Sequence, residues 1–215
     1  MALALYGHRF SSYTQKVLIA LFENGTPFDF RAIGPETPEH AGEWLLRWPL
    51  GKFPVLLDGE RAVAETSIII EYLHLHHPGP VRLLPDDAKA AHDVRLLDRF
   101  FDLHVMDAAQ HAVNGALTGD RMKREEGMAT AVEKLDRAYG WLETTLAGRH
   151  WAAGADFTLA DCAAAPALFY ADWTHPISQD YPVLRAYRAR LLARPSFARC
   201  VDEARPYRPL FPLGA

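Results

Sequence analysis

Phe53 and Pro54 could present a backbone binding edge, because they precede the apolar run Val55–Leu57. X-Pro bonds are the only peptide bonds that adopt the cis form at low cost. If Phe53–Pro54 is cis, the N–H and C=O of Phe53 point outward, and an extended peptide could pair with them like an added strand. The alternative is a plain strand with a trans proline, since most X-Pro bonds in folded proteins are trans.

Glu65, Thr66 and Ser67 open an amphipathic helix and could bind a carboxylate. The free N–H groups and the positive dipole end of a helix favour an anion there, and a hydroxyl group adds a further donor. Just before this helix, Asp58-Gly59 predicts a tight turn between two strands. These features together predict a β-β-α unit suited to a short, acidic peptide.

The order of these features resembles the N-terminal domain of the cytosolic glutathione transferases, where a cis X-Pro bond and a later Glu-Ser pair hold glutathione. Phe53 stands where the family usually has Val, and Thr66 stands where it usually has Ser, although Thr keeps the hydroxyl. The resemblance implies that Phe53 binds the cysteinyl unit through its backbone, while Glu65 and Thr66 hold the γ-glutamyl group. Lys52 and His40 would meet the glycine carboxylate. The implied glutathione-binding residues are thus Lys52, Phe53, Glu65, Thr66 and His40, and Pro54 is the implied cis-proline.

Ser11 lies in the segment Phe10–Val17, at the expected start of the first helix. The segment has no cysteine, which disfavours a redox protein that uses its own thiol at this turn. It is similar to the serine-type classes of the family, and Ser11 stands at the family's catalytic serine. There a hydroxyl would donate a hydrogen bond to the glutathione sulfur and lower the pKa of the thiol. Ser12 and Tyr13 are the alternative hydroxyls, and a plain N-cap is the alternative role for Ser11.

The composition is that of a globular protein that binds neither nucleic acid nor membranes. The chain has 215 residues, of which 49% are hydrophobic, enough to bury a substantial core. A net charge of −4 with scattered arginines gives no basic surface for nucleic acid. No membrane-length apolar run and no signal-peptide pattern occurs, and Cys162 and Cys200 make no disulfide framework. We expect a cytoplasmic protein with both cysteines reduced.

Patterns along the chain predict two domains. Residues 1–80 carry strand and helix signals in the order β-α-β-α-β-β-α, the thioredoxin-like order of the glutathione transferase N-domain. Residues 81–87 carry turn signals and predict a linker. Residues 88–215 show long helical patterns without a strand signal of weight. The expected fold is an α/β thioredoxin-like N-terminal domain plus an all-α C-terminal domain.

Motifs in the second half extend the resemblance over residues 3 to about 205. Thr158 and Asp161 have the spacing of a capping box at a helix start. Tyr181–Arg188 and Arg194–Phe197 read like two further helices of the family. Ordered matches in one chain are far more specific than any single one. The chain is therefore identified as a member of the glutathione transferase family, which also implies a homodimer.

His104, Asp107 and His111 fall at i, i+3 and i+7 on the first long helix. They could ligate zinc, but no fourth ligand is evident. The expected interpretation is a polar helix face, so no metal is predicted. In the family this helix borders the pocket for the second substrate, a small hydrophobic electrophile. The candidate pocket contacts are Ser12, Tyr13, His104, Asp107, His111 and Tyr207.

The predicted function is a glutathione transferase that activates the glutathione thiol for attack on a hydrophobic electrophile. Peroxidase, dehalogenase or isomerase side activity would suit the same pocket. The alternative is a non-catalytic protein of this fold with an interaction or stress role. The presence of Ser11, Lys52, Glu65 and Thr66 together favours the enzyme, because a scaffold would not need all four.

Overall fold

A four-stranded sheet forms the centre of the first domain. The computed structural model of the protein describes residues 3–214. The strands are β1 (Leu3–Gly7), β2 (Phe28–Ala32), β3 (Val55–Asp58) and β4 (Arg61–Ala64), in the spatial order β2-β1-β3-β4. β1 is parallel to β2, whereas β3 is antiparallel to both β1 and β4. Asp58 is paired with Arg61 across the predicted two-residue turn.

Three helices cover the two faces of this sheet, in the order that the sequence predicted. They are α1 (Ser12–Glu23), α2 (Pro38–Arg47) and α3 (Thr66–His76). Because side chains alternate across a strand, Leu5 packs on the α1 and α3 side, while Tyr6 packs with Trp44 of α2 on the other. The helix α2 has Pro38 in its first turn, where a missing N–H costs nothing.

The second domain is helical, as predicted. Its helices are α4 (Ala88–Phe100), α5 (Asp107–Leu117), α6 (Arg121–Thr145), α7 (Leu159–Thr174), α8 (Pro182–Ala193) and α9 (Pro195–Ala204). One π-helical turn, Phe101–Met106, joins α4 to α5. The proline-rich tail forms a 3-10 helix, Arg205–Leu210, a conformation that is common in short segments at the ends of α-helices. No helix within residues 3–214 is long and apolar enough to cross a membrane.

The start of α7 is rigidly held, and α1 packs against this helix. Thr158 and Asp161 form the predicted capping box, with Thr158 N donating to Asp161 Oδ2 at 2.9 Å. Asp161 Oδ1 also accepts from Ala152 N at 2.8 Å and from the Tyr187 hydroxyl at 2.7 Å. Burial raises the pKa of Asp161, and these hydrogen bonds oppose that rise. Buried side chains of α1 and α7 belong to one hydrophobic core, so the second domain fixes the position of the first helix.

Candidate functional site

Two adjoining clefts lie between the domains, at the start of α1. The larger has a volume of about 610 Å³, and its wall includes eight residues that the sequence analysis singled out: Ser11, Tyr13, Lys52, Phe53, Pro54, Glu65, Thr66 and Asp107. The smaller cleft has a volume of about 280 Å³, and its wall is mainly apolar: Phe10, Met106, Val113, Leu117, Tyr170 and Phe211 contribute to it. Ser11, Tyr13, Phe53 and Gln110 line both clefts. A reacting atom at this junction would face a polar space on one side and an apolar space on the other.

Ser11 caps α1 and still keeps a hydroxyl hydrogen to donate. Its backbone is extended, with φ −79° and ψ 125°, and its Oγ accepts a hydrogen bond from Thr14 N at 3.3 Å. Ser11 N donates to His8 O at 2.9 Å, which closes the turn before the helix. No residue between 3 and 214 accepts a hydrogen bond from the Ser11 hydroxyl. The N-cap role and a role in the cleft are therefore compatible at this residue.

The two alternative hydroxyls lie on either side of this position. Tyr13 lines both clefts, and burial, reinforced by the carboxylates of Asp102 and Asp107, raises the pKa of its phenol to about 12. A phenol with that pKa stays protonated near neutral pH. Ser12 is 8% exposed and lines the apolar cleft but not the larger one. Of the three, Ser11 is the one that combines a position on both clefts with the helix N-terminus.

Glu65 and Thr66 form an unusual helix start on the far wall of the larger cleft. Glu65 has φ +66° and ψ 119°, in the region that residues with a side chain rarely adopt. Such strain persists where surrounding structure imposes it, and it is concentrated at ligand sites. Thr66 is the first residue of α3, and no side chain caps the helix. The first-turn N–H groups and the Thr66 hydroxyl are thus available to an anion in the cleft.

The backbone of Phe53 borders the larger cleft between Ser11 and Lys52. The Phe53–Pro54 bond is cis. Neither the N–H nor the C=O of Phe53 has a hydrogen-bond partner among the described residues. Trp44 Nε1 donates to Lys52 O at 3.0 Å and anchors the loop that leads to Phe53. The free backbone edge that the sequence analysis expected is therefore present.

His40 lies outside the wall of either cleft. Its Nδ1 is 2.9 Å from Ala32 O, and its ring meets the Tyr6 ring edge-on at 6.3 Å. Its proposed contact with a glycine carboxylate stays a prediction. The exposed Lys52 does line the larger cleft, so its charge can reach a carboxylate there.

The candidate contacts for a second substrate divide into two groups. Asp107 lines the larger cleft and Ser12 and Tyr13 line the apolar one. His104, His111 and Tyr207 line neither: His104 packs on Phe100, His111 Nε2 lies 2.7 Å from Lys134 Nζ, and Tyr207 packs on His8. The i→i+5 bonding of the π turn changes the helical register on which the shared face of His104, Asp107 and His111 was based. Within residues 3–214, no group of three or more His, Cys, Asp or Glu side chains is arranged to hold a metal ion.

Several wall residues were missed by the sequence analysis. Arg99, Asp102, Gln110 and Asn114 lie on the second-domain side of the larger cleft. The four share one stripe of the α4–α5 helix, but polar residues on a helix ordinarily indicate only a solvated face. Their position beside the cleft depends on how the two domains pack, which periodicity does not report.

A buried ion cluster joins the domains next to the larger cleft. Lys16 of α1 is 1% exposed, and its Nζ lies 2.6 Å from Asp98 Oδ1 and 2.8 Å from Asp102 Oδ2. Ser67 donates to Asp98 Oδ2 at 2.6 Å and accepts from Lys16 at 3.0 Å. Burial raises the pKa of Asp102, although the nearby Lys16 charge opposes the rise. Because Ser67 follows Thr66, this cluster ties the start of α3 to the second domain.

Comparison with known proteins places the chain in a family. Residues 5–81 match the family model for the glutathione S-transferase N-terminal domain, and residues 106–190 match that for the C-terminal domain. A probable maleylacetoacetate isomerase of Vibrio cholerae is 30% identical, with 96% of this chain and 98% of the relative aligned. FtsZ-localized protein A of Caulobacter vibrioides is 28% identical, with 86% and 84% aligned.

A solved structure agrees with these relatives. The crystal structure of a glutathione S-transferase from Methylobacillus flagellatus with GSH bound is 28% identical, has a TM-score of 0.75, and matches 93% of this chain and 98% of its own. The chain therefore belongs to the glutathione transferase family, and the two-domain fold and the glutathione transferase function predicted from its sequence are confirmed.

Proposed function

We propose that the chain is a serine-type glutathione transferase in which the Ser11 hydroxyl activates the glutathione thiol. The observation that carries the proposal is the free O–H of Ser11, at the N-terminus of α1 and at the junction of the two clefts. A hydrogen bond to sulfur and the positive end of the helix both favour the thiolate over the thiol. The thiolate is the nucleophile, so lowering the thiol pKa raises the reactive fraction at neutral pH.

In this proposal glutathione lies along the larger cleft. The N–H and C=O of Phe53 pair with the backbone of the cysteinyl unit, which places the sulfur toward Ser11. The γ-glutamyl carboxylate binds the Thr66 hydroxyl and the free N–H groups of α3, and Glu65 holds the amino group. Lys52 takes the glycine carboxylate. Each charged end of the tripeptide thereby meets a group of opposite polarity.

The electrophile occupies the apolar cleft beside Ser11. Its volume of about 280 Å³ suits a small molecule, and its apolar wall favours a hydrophobic one. Isomerisation of a double bond is a second candidate reaction, because of the likeness to the probable maleylacetoacetate isomerase. Arg99 on the wall of the larger cleft supplies a cation that a carboxylate-bearing substrate would need.

The proposed assembly is a homodimer in the cytoplasm. The helices α3 and α4, joined by the ion pair between Glu71 and Arg95, leave Ile68, Leu75 and Leu96 more than half exposed. A second copy of the chain packed on this surface would cover these side chains. Sedimentation showing only a monomer at micromolar concentration would exclude this assembly.

A panel of glutathione-dependent assays tests the proposed reaction. The wild type should turn over at least one of an aryl halide, an epoxide, an organic hydroperoxide and a maleyl double bond, at a rate that depends on glutathione. The competing hypothesis is a non-catalytic interaction protein, and it is considered because the name of the relative FtsZ-localized protein A gives a localisation rather than a reaction. Glutathione binding without turnover of any member of the panel would favour that hypothesis.

Thr66→Ala should weaken glutathione binding about tenfold or more. The substitution removes a hydrogen bond to a charged carboxylate, which contributes ~1.5–3 kcal/mol. Isothermal titration calorimetry measures the change directly. Thr144→Ala, on the exposed end of α6, is the matched control and should bind glutathione as the wild type does. An unchanged affinity in Thr66→Ala would remove Thr66 from the binding site.

A further inference from the structure

The loop that carries Ser11 is held by a chain of hydrogen bonds from the second domain. The Tyr170 hydroxyl, on α7, donates to Phe10 O at 3.0 Å. Gln15 Nε2 donates to the Tyr170 hydroxyl at 3.1 Å and to Arg9 O at 2.9 Å. The two carbonyls that precede Ser11 are thus both fixed, one through Tyr170 and one through Gln15.

Both side chains are buried, and their polar atoms point at this loop. Tyr170 is 4% exposed and Gln15 is 0% exposed. Burial raises the pKa of the Tyr170 phenol, so the hydroxyl keeps its proton and remains a donor. The ring of Phe10 meets the Tyr170 ring edge-on at 5.4 Å, so packing holds the loop in the same place. Tyr170 itself is held on the helix that begins with the buried capping box.

We propose that Tyr170 and Gln15 are positioning residues for Ser11. The inference rests on the proposed function, in which the Ser11 hydroxyl donates to the glutathione sulfur. A displacement of a reacting group by about 1 Å can cost on the order of a hundredfold in rate, so the carbonyls next to Ser11 need a fixed place. The hydrogen bonds come from α7 and α1, and they therefore link the packing of the two domains to the geometry of the activating hydroxyl.

Tyr170→Phe tests the proposal, because it keeps the ring that lines the apolar cleft and removes the hydroxyl alone. The assay uses glutathione at saturation with chlorodinitrobenzene, and follows kcat/KM for the electrophile against pH. At pH values below the midpoint of the profile we expect kcat/KM to fall about three- to tenfold, the range for loss of the hydrogen bond that holds Phe10 O. The midpoint should move to higher pH, with glutathione affinity unchanged. Gln15→Leu removes the donor to both Tyr170 and Arg9 and carries the same expectation should Tyr170→Phe fail to fold.

The matched control is Tyr139→Phe. Tyr139 is a buried tyrosine whose hydroxyl donates to a backbone carbonyl, that of His175, at 3.0 Å, and it lines neither cleft. Tyr139→Phe should lose stability as Tyr170→Phe does, but its pH profile of kcat/KM should keep the wild-type midpoint. The double variant Ser11→Ala with Tyr170→Phe should be no slower than Ser11→Ala, since a positioning residue has no effect once the group that it positions is gone.

The outcomes separate this inference from the function on which it rests. A wild type without glutathione-dependent turnover overturns both. A wild type that is active and sensitive to Ser11→Ala, with an unmoved midpoint in Tyr170→Phe, overturns the positioning role alone. An effect of Tyr170→Phe that simply multiplies that of Ser11→Ala also overturns it, because it would show that the hydroxyl of Tyr170 acts independently of Ser11.

Discussion

Ser11→Ala should lower kcat/KM for the electrophile ten- to a hundredfold at neutral pH and move its pH dependence upward. A thiol with pKa ~8.5 is only about 3% ionised at pH 7, so the protein must stabilise the thiolate. A shift of two pH units requires ~2.7 kcal/mol, within reach of a charge-assisted hydrogen bond together with a helix dipole. With glutathione saturating, the pH dependence of kcat/KM for the electrophile reports the thiol in the binary complex. Initial rates measured in stopped or continuous assays over a range of pH give this dependence of kcat/KM.

The controls for this substitution separate chemistry from folding. Ser11 also caps α1, and loss of a cap costs ~1 kcal/mol of stability, whereas glycine at the same position costs only a few tenths. Ser11→Gly should therefore show the same kinetic loss with less destabilisation. Ser12→Ala and Tyr13→Phe should change the rate much less. If Tyr13→Phe abolished activity while Ser11→Ala kept the wild-type profile, the activating hydroxyl would be that of Tyr13.

Other titratable groups on the wall of the larger cleft could also contribute to the pH dependence of kcat/KM. They are Tyr13, Lys52, Glu65, Arg99, Asp102 and Asp107. Burial raises the pKa of Tyr13 to about 12, above the range of the assay. Burial also raises the pKa of Asp102 from its ordinary value of 3.8. A repeat of the profile in Asp102→Asn would assign to that carboxyl any second inflection on the acid side.

Lys16→Met should destabilise the folded protein by ~3–5 kcal/mol, the largest stability effect that we expect. Methionine keeps most of the volume but leaves Asp98 and Asp102 buried without their cation, 2.6 and 2.8 Å from the lost ammonium. Urea unfolding at pH 7 gives the measurement. Lys134→Met is the control, because Lys134 contacts His111 at the exposed surface, and its loss should cost under ~1 kcal/mol.

The loss of stability in Lys16→Met should depend on pH in a defined direction. The folded-state pKa of Asp102 lies above its unfolded value, so the folded state takes up the proton first on acidification. The stability that this carboxyl contributes is fully present below its unfolded pKa and is lost as the pH rises through the folded pKa. Removing Lys16 removes the charge that opposes the rise. The deficit of Lys16→Met should therefore be greatest at neutral pH and smaller near pH ~4–5. A deficit that grows on acidification would contradict the proposed cluster.

The parts of the structure that the sequence predicted are encoded in short stretches of neighbouring residues. Asp58-Gly59 indicates a turn whatever the rest of the chain does, and Glu65-Thr66 indicates a helix start. The spacing of Thr158 and Asp161 predicts a capping box by itself. For this reason the order of elements in the first domain and the main wall of the larger cleft followed from the sequence, together with the resemblance.

The parts that the sequence did not predict depend on distant residues. From the sequence alone Lys16 would be taken for an exposed basic residue of a helix. It is buried because it pairs with two carboxylates more than eighty positions later. The π turn Phe101–Met106 has no sequence signature of its own, and it changes which side chains of the α4–α5 helix reach the cleft. Tyr207 was expected at the electrophile pocket, but it packs on His8, while Phe211 of the same tail lines the apolar cleft.

In the proposed mechanism the Ser11 hydroxyl lowers the pKa of the thiol of bound glutathione. The most direct test is to titrate that thiol in the binary complex by the ultraviolet absorbance of the thiolate, in the wild type and in Ser11→Ala, with glutathione saturating in both. We expect a midpoint near pH ~6.5 in the wild type, about two units below that of a free thiol, and a midpoint one to two units higher in Ser11→Ala. A wild-type midpoint near ~8.5, or the same lowered midpoint in both proteins, would contradict it.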